Sequence, residues 1–258
     1  MKARLSFLML ACSIAVPVLL HGQTVTSQVR TVLQGSSQAM VGDRNIQDVT
    51  LTGTAQFTAG SEDDTGSFTF RGLAGGFSRI DLGLTSGERS ETRQPGNGSP
   101  SGAWTIGDGV LHASAQHNLM SGYWWPSPAL IVNDLLTNSW TVVTFLGEEG
   151  SLAHFSAYQQ RAGASSGINA TSKQLTQFDL WLDATTLLPA KLSFSIHPDQ
   201  NAGFDIPVRI EFSNYQAVNG IVIPTHVQKF INNTLTLDAQ IQSASINSGL
   251  TASVFTLQ

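Results

Sequence analysis

Apolar and polar residues alternate over most of the chain beyond residue 45. "DVTLTGTAQFT" sets Val49, Leu51, Ala55 and Phe57 on one face, "GSFTFR" sets Phe68 and Phe70, and "SRIDLGLT" sets Ile80, Leu82 and Leu84. Successive side chains of a strand point to opposite faces, so a period of two over many short segments predicts half-buried antiparallel strands. The alternation returns in "WTVVTFL" and "SLAHFSAYQQ", which read as a hairpin over 140–160. From Leu175 onward it dominates, in "LTQFDLWLD", "AKLSFSIH", "VRIEFSNY", "IVIPTHVQKFI" and "TLTLDAQIQSASI". Two segments carry helical spacing instead. Residues 24–42 place Val25, Val29, Val32, Leu33 and Met40 at mostly helical intervals. Residues 127–139 follow a Ser127 suited to cap a helix and a Pro128 suited to its first position. The reading is a mainly β (α+β) chain of about ten strands and two or three helices. "SGERSETRQPGNGSPSGA" (86–103) has almost no apolar residue and is expected to be a loop or mobile hairpin tip; residues 161–174 are expected to be a flexible link. No repeat at fixed period is visible, which argues against propellers and solenoids.

The stretch "FSNYQAVNGIVIPTHVQKF" (212–230) sharpens this picture. Asn219 and Gly220 tolerate the positive φ angles of a tight hairpin turn, so strand, turn and strand are expected over 212–223. Proline has no N–H to give a ladder, and Pro224 is therefore expected at an edge, a bulge or a strand end.

The first residues read differently. Lys2 and Arg4 precede the apolar run of residues 5–20, and the polar "HGQT" follows it, the pattern of a secretory signal peptide cut near Gly22. Sixteen residues broken by Pro17 fall short of the roughly 20 a spanning helix needs. Residues 1–22 are thus expected to be a signal peptide and 23–258 a single exported domain, periplasmic or secreted. Cys12, the one cysteine, lies inside the apolar run rather than at its end, so lipidation is not expected, and the mature chain would hold no thiol for a disulfide, a nucleophile or a metal. Removing Lys2 and Arg4 from the 13 basic residues leaves 11 against 18 acidic ones, a formal charge of −7. The charges are scattered without a basic stripe, which disfavours nucleic acid and anionic membrane surfaces as partners.

Candidate chemistry is sparse. Glu62, Asp63 and Asp64, and Glu148 with Glu149, are the acidic clusters, and paired carboxylates serve glycoside hydrolysis only when they face each other across a cleft. Both fall in predicted turns, where acids are ordinarily just solvated. His112, His117, His154, His197 and His226 never approach a metal-ligand spacing, and no G-x-S-x-G occurs. No catalytic residue, metal or cofactor is expected. "GYWWPSP" (122–128) places Tyr123, Trp124 and Trp125 just before the second helix, where they could line the mouth of a cavity or staple that helix to the sheet.

The C-terminal third carries a more specific pattern. Asp183, Pro189, Tyr215, Val218, Gly220, Pro224, Asn247 and Phe255 follow in the order strand, Asp, Leu-Pro turn, strand, aromatic-x-x-Val-x-Gly, three apolar residues and Pro, long strand, Asn and a final Phe. In this, residues 175–258 resemble the LolA-like periplasmic lipoprotein carriers and their relatives LolB and MucB/RseB. The resemblance implies a strongly curved antiparallel sheet, an unclosed β-barrel, with helices over its concave face and an apolar cavity between. It implies an acyl chain, lipid or lipoprotein as ligand and a role in outer-membrane biogenesis; the alternative is a ligand-free module docking an envelope protein. A monomer is expected. Phe68, Phe70, Leu82, Phe178, Leu180, Phe194 and Ile210 are expected to line the cavity, with Trp104 and Trp140 near its rim. Arg71 is the nearest match to an arginine that closes the lid of the carriers, although it lies one position early and lacks the following proline.

Overall fold

The computed structural model describes residues 26–96 and 99–256. The predicted signal peptide, its cut and Cys12 lie outside these residues. The first helix, α1, spans Ser27–Val41, with the Thr26 side chain accepting a hydrogen bond from the Val29 N–H at 3.3 Å. Six strands follow: β1 (Asp48–Ala59), β2 (Glu62–Leu73), β3 (Phe77–Leu84), β4 (Gly87–Gln94), β5 (Ser101–Thr105) and the two-residue β6 (His112–Ala113). A 3₁₀ turn at Gln116–Leu119 and α2 (Pro128–Thr137) lead to β7 (Thr141–Glu149) and β8 (Leu152–Gln159). Next come α3 (Ser166–Thr176), β9 (Phe178–Asp183), β10 (Pro189–Ile196), β11 (Ile206–Val218), β12 (Ile221–Ile231) and β13 (Thr234–Ile246).

All thirteen strands join one antiparallel sheet in the order β6-β5-β4-β3-β2-β1-β13-β12-β11-β10-β9-β8-β7. The chain therefore starts in the middle of the sheet, steps outward to one edge, crosses to the opposite edge and steps back until β13 pairs with β1. The ends do not pair, so the barrel is open. Its crossing segment, residues 114–140, has to traverse the concave face, and this is why the 3₁₀ turn, the aromatic loop and α2 lie over it. Helix α1 packs on α2 and β12.

One apolar cluster fills the space between sheet and helices. It unites Leu33 and Met40 of α1 and Leu130 and Leu135 of α2 with Phe68 and Phe70 of β2, Leu180 of β9 and Val208 and Ile210 of β11. Register slips bend the sheet. Gln242 and Thr236 of β13, Leu146 of β7 and Ala190 of β10 each stand as the extra residue at an interruption of the ladder, and such bulges increase local twist.

Two expectations are corrected. Residues 87–94 form β4, paired along its length with β3 from Ser78↔Arg93 to Leu84↔Gly87, and 101–105 form β5. The strand was hidden because its inward positions hold Arg89, Glu91 and Arg93 in place of apolar residues. Most of the supposed link at 161–174 lies in α3, capped by Ser165 and held by Thr176 and Ser172, whose hydroxyls bond the Gln159 backbone at 2.8 Å each. Ser127 stands at the N-cap position of α2 without a side-chain hydrogen bond to its backbone, while Pro128 opens the helix as expected.

Asn219 and Gly220 do adopt positive φ, 51° and 78°, and join β11 to β12. Arg44, just past α1, donates to both turn carbonyls, at 3.4 and 3.0 Å. A side chain at Gly220 would meet that guanidinium at 2.8 Å. The ladder between β12 and β13 runs out at His226↔Gln240, so Pro224 lies just past the point where the two strands part and one side of β12 asks for no N–H.

Candidate functional site

Strands on opposite sides of the sheet look at each other across the concave face. Next to the aromatic loop and α2 the interior is nearly full. A space of only about 40 Å³ remains there, walled by the 120–125 loop with Trp124 and Trp125, by Asp134 of α2 and by Phe178 and Leu192. Further along, the groove opens. About 350 Å³ lies between Phe57, Ile80, Leu82 and Trp104 on one wall and Ile196 and Lys229 on the other, with the 3₁₀ turn at one side.

The sequence-predicted positions divide between these regions. Phe68 and Ile210 are 0% exposed and Leu180 1%, packed with Phe70 in the core rather than facing open space. Leu82 and Trp104 line the 350 Å³ groove, Phe178 the small space, and Phe194 a further gap of about 50 Å³ beside the loop. Trp104 stacks on the His112 ring at 4.2 Å. Trp140 is 52% exposed, lies under Arg161 and borders neither space.

Arg71 faces the outer side of the sheet, where it pairs with Asp81 at 2.7 Å; the expected lid contact is corrected by the alternation of β2, since Phe70 takes the inward position. Asp81 also binds Arg79, which in turn donates to the Val254 carbonyl and holds the C-terminal tail, and a polar groove of about 570 Å³ runs along this outer face. The arginine that does tie down the crossing segment is Arg93 of β4, which sequence reasoning missed. Its guanidinium donates to the carbonyls of Leu119, at 2.5 Å, and Gly76, and lies 3.7 Å from the centre of the Tyr123 ring. Burial lowers its pKa, opposed by the nearby Tyr123 and Asp134.

Asp134 completes this buried polar group. It faces the small space from α2, with one hydrogen bond from Asn138 at 3.4 Å. Burial raises its pKa to about 6, against the opposing pull of Asn138 and Arg93. Burial likewise raises the Tyr123 hydroxyl above its usual value. Trp124 is buried and donates its indole N–H to the Phe77 carbonyl at 2.9 Å, so it staples the start of α2 to β3 as well as walling the small space. Gly122 makes this approach feasible: at φ 67° it lies against the Phe194 ring, and any side chain there would collide with it.

The acidic clusters are taken up locally. Glu62 pairs with Arg89 at 2.7 Å, Asp63 accepts from Gln56 at 2.7 Å, and Asp64 is held ionised by Ser86, Thr85 and Thr65 at the β3–β4 turn. Glu149 meets His154 at 2.8 Å at the end of the β7–β8 hairpin, beside exposed Glu148. Among the described residues, no group of three or more His, Asp or Glu could hold a metal ion. Likewise, no described helix is long and apolar enough to cross a membrane.

Most of the C-terminal pattern proves to be structural. Asp183 accepts from the N–H groups of Thr185 and Thr186 in a turn, and the Tyr215 hydroxyl donates to the Pro189 carbonyl at 2.6 Å. Asn247 bridges Gln47 and Asn45, and Phe255 is fully buried against Phe77.

A domain described as an outer membrane lipoprotein-sorting protein from Vibrio parahaemolyticus superposes with a TM-score of 0.53 at 11% identity, over 88% of this chain and 95% of that one. The chain shares the fold of that domain. A DUF1329 family protein from Desulfovibrio piger gives 0.53 at 13% identity, over 88% and 95%. A LolA superfamily protein from Nitrosomonas europaea aligns more loosely, at 0.47 and 12% identity over 90% and 98%. No protein-family model matches the sequence, and no curated protein matches it. The open antiparallel sheet with helices that the LolA-like resemblance of residues 175–258 implied is the fold observed.

Proposed function

We propose that the chain is an exported, non-enzymatic carrier or sensor that holds an acyl chain, a lipid or the acyl part of a lipoprotein in its concave groove. The observation that carries this reading is the 350 Å³ space itself, walled by Phe57, Ile80, Leu82, Trp104 and Ile196 and open to solvent. Its volume falls within the range of small-molecule sites, roughly 300–1,000 Å³. Each methylene withdrawn from water contributes about 0.8 kcal/mol, so a long chain gains useful affinity with no covalent bond. The lipoprotein-sorting fold supports the same reading, and periplasmic residence with a role in outer-membrane biogenesis belongs to it.

The filled region favours a second reading in one respect. Phe68, Phe70, Leu180 and Ile210 leave no room beneath α1 and α2, as in an interaction module that docks an envelope protein without a ligand. The two readings separate on Ile196→Trp, which fills the open groove without adding charge. Titration with a fluorescent fatty acid should show saturable binding to the wild type and none to this variant, with the melting transition retained. Absence of binding to the folded wild-type protein would overturn the carrier in favour of the module.

A further inference from the structure

The inward row of β4 is unusual for an apolar groove, since it reads Arg89, Glu91, Arg93. Arg89 is paired with Glu62, and Arg93 is capped by two carbonyls and the Tyr123 ring, whereas Glu91, between the two arginines on the same face, makes no ion pair within 4 Å among the described residues and lines the groove together with Lys229. Across the groove, Lys229 projects inward from β12, where its register neighbours are Ile210 of β11 and Leu237 of β13. Its ammonium has no carboxylate within 4 Å among the described residues, and the Trp125 ring lies 5.1 Å away. The remaining acid of the groove, Asp199, is exposed in the β10–β11 connection and therefore solvated.

We infer that Lys229 is the head-group site of the groove and that the ligand is an amphiphile with an anionic head, a carboxylate or a phosphate. This rests on the carrier reading above and adds the ligand's charge to it. A half-buried ammonium among apolar neighbours is costly unless an anion joins it, and a charge-assisted hydrogen bond is roughly twice as strong as a neutral one. Trp125, Ile196 and Leu82 then receive the first methylenes of the chain while the head stays with Lys229.

Competition of a bound fluorescent fatty acid by hexadecanoate, hexadecyl phosphate and hexadecanol tests this directly. Whichever anionic head the groove takes should displace the probe at concentrations about tenfold lower than the alcohol, the margin of one charged hydrogen bond. Comparing the two anions tells carboxylate from phosphate. Lys229→Met should bring acid and alcohol within about twofold of each other, and Lys229→Arg should restore the gap. Equal displacement by the alcohol in the wild type, or a preference retained in Lys229→Met, would overturn the head-group site while leaving the carrier standing. A probe that does not bind at all removes both.

Discussion

At the scale of single residues, the crossing segment is held by a few side chains whose roles depend on burial. Asp134 ionises near pH 6 in the folded chain and near 3.8 when unfolded, because burial disfavours its charge. Between those values the folded state holds a proton that the unfolded state has lost, so stability falls as pH rises through that window. Asp134→Asn should therefore raise stability at pH 8 by up to about 3 kcal/mol, at about 1.4 kcal/mol per pKa unit, and leave it nearly unchanged below pH 4. Thermal melts at the two pH values check this; an equal effect at both would contradict it. Gly122→Ala forces a left-handed backbone on a side chain that also meets Phe194, and should cost about 1–3 kcal/mol in a denaturant titration. A neutral result would mean that the loop does not rest on β10. Neither role was legible in the sequence. A glycine in "SGYWW" announces a turn but not the ring beneath it, and Arg93 and Arg71 look alike until strand register assigns one inward and the other outward.

At the scale of elements, hydropathy periodicity located every strand that buries apolar side chains and both helices that cover the sheet. It failed where an element is held by something else. Strand β4 turns Arg89, Glu91 and Arg93 inward, so its period-two signal is written in charge. Helix α3 buries only Thr176 and is fastened by the Thr176 and Ser172 hydroxyls to the Gln159 backbone at the end of β8. Beneath the crossing segment, Arg93 should matter more than any apolar contact it makes. Arg93→Met strips the Leu119 and Gly76 carbonyls of a buried donor and leaves Asp134 without a cation nearby, a loss of about 2 kcal/mol or more. Hydrogen exchange should then speed up over residues 115–137 while β9 to β12 keep their protection. Unchanged exchange in that segment would show that the aromatic staple alone holds it.

At the scale of the whole molecule, the strand order was not readable as a list of pairings. The Asn219-Gly220 turn predicted only a hairpin, and the curved open sheet was implied by the family resemblance of the C-terminal pattern. How much of the concave face stays open was invisible in the sequence, since Leu180 and Leu82 occupy equivalent inward positions and only packing separates them. That difference makes a paired test. Leu180→Trp overfills the core and should lower stability by about 1–3 kcal/mol, whereas Ile196→Trp should fill open space with little change. The most direct test of the carrier is native mass spectrometry of the protein purified from its native host. A mass excess that organic extraction releases as an acyl-bearing molecule, and that Ile196→Trp lacks, is the predicted result; a wild-type protein that flies at its bare mass in every preparation would contradict it.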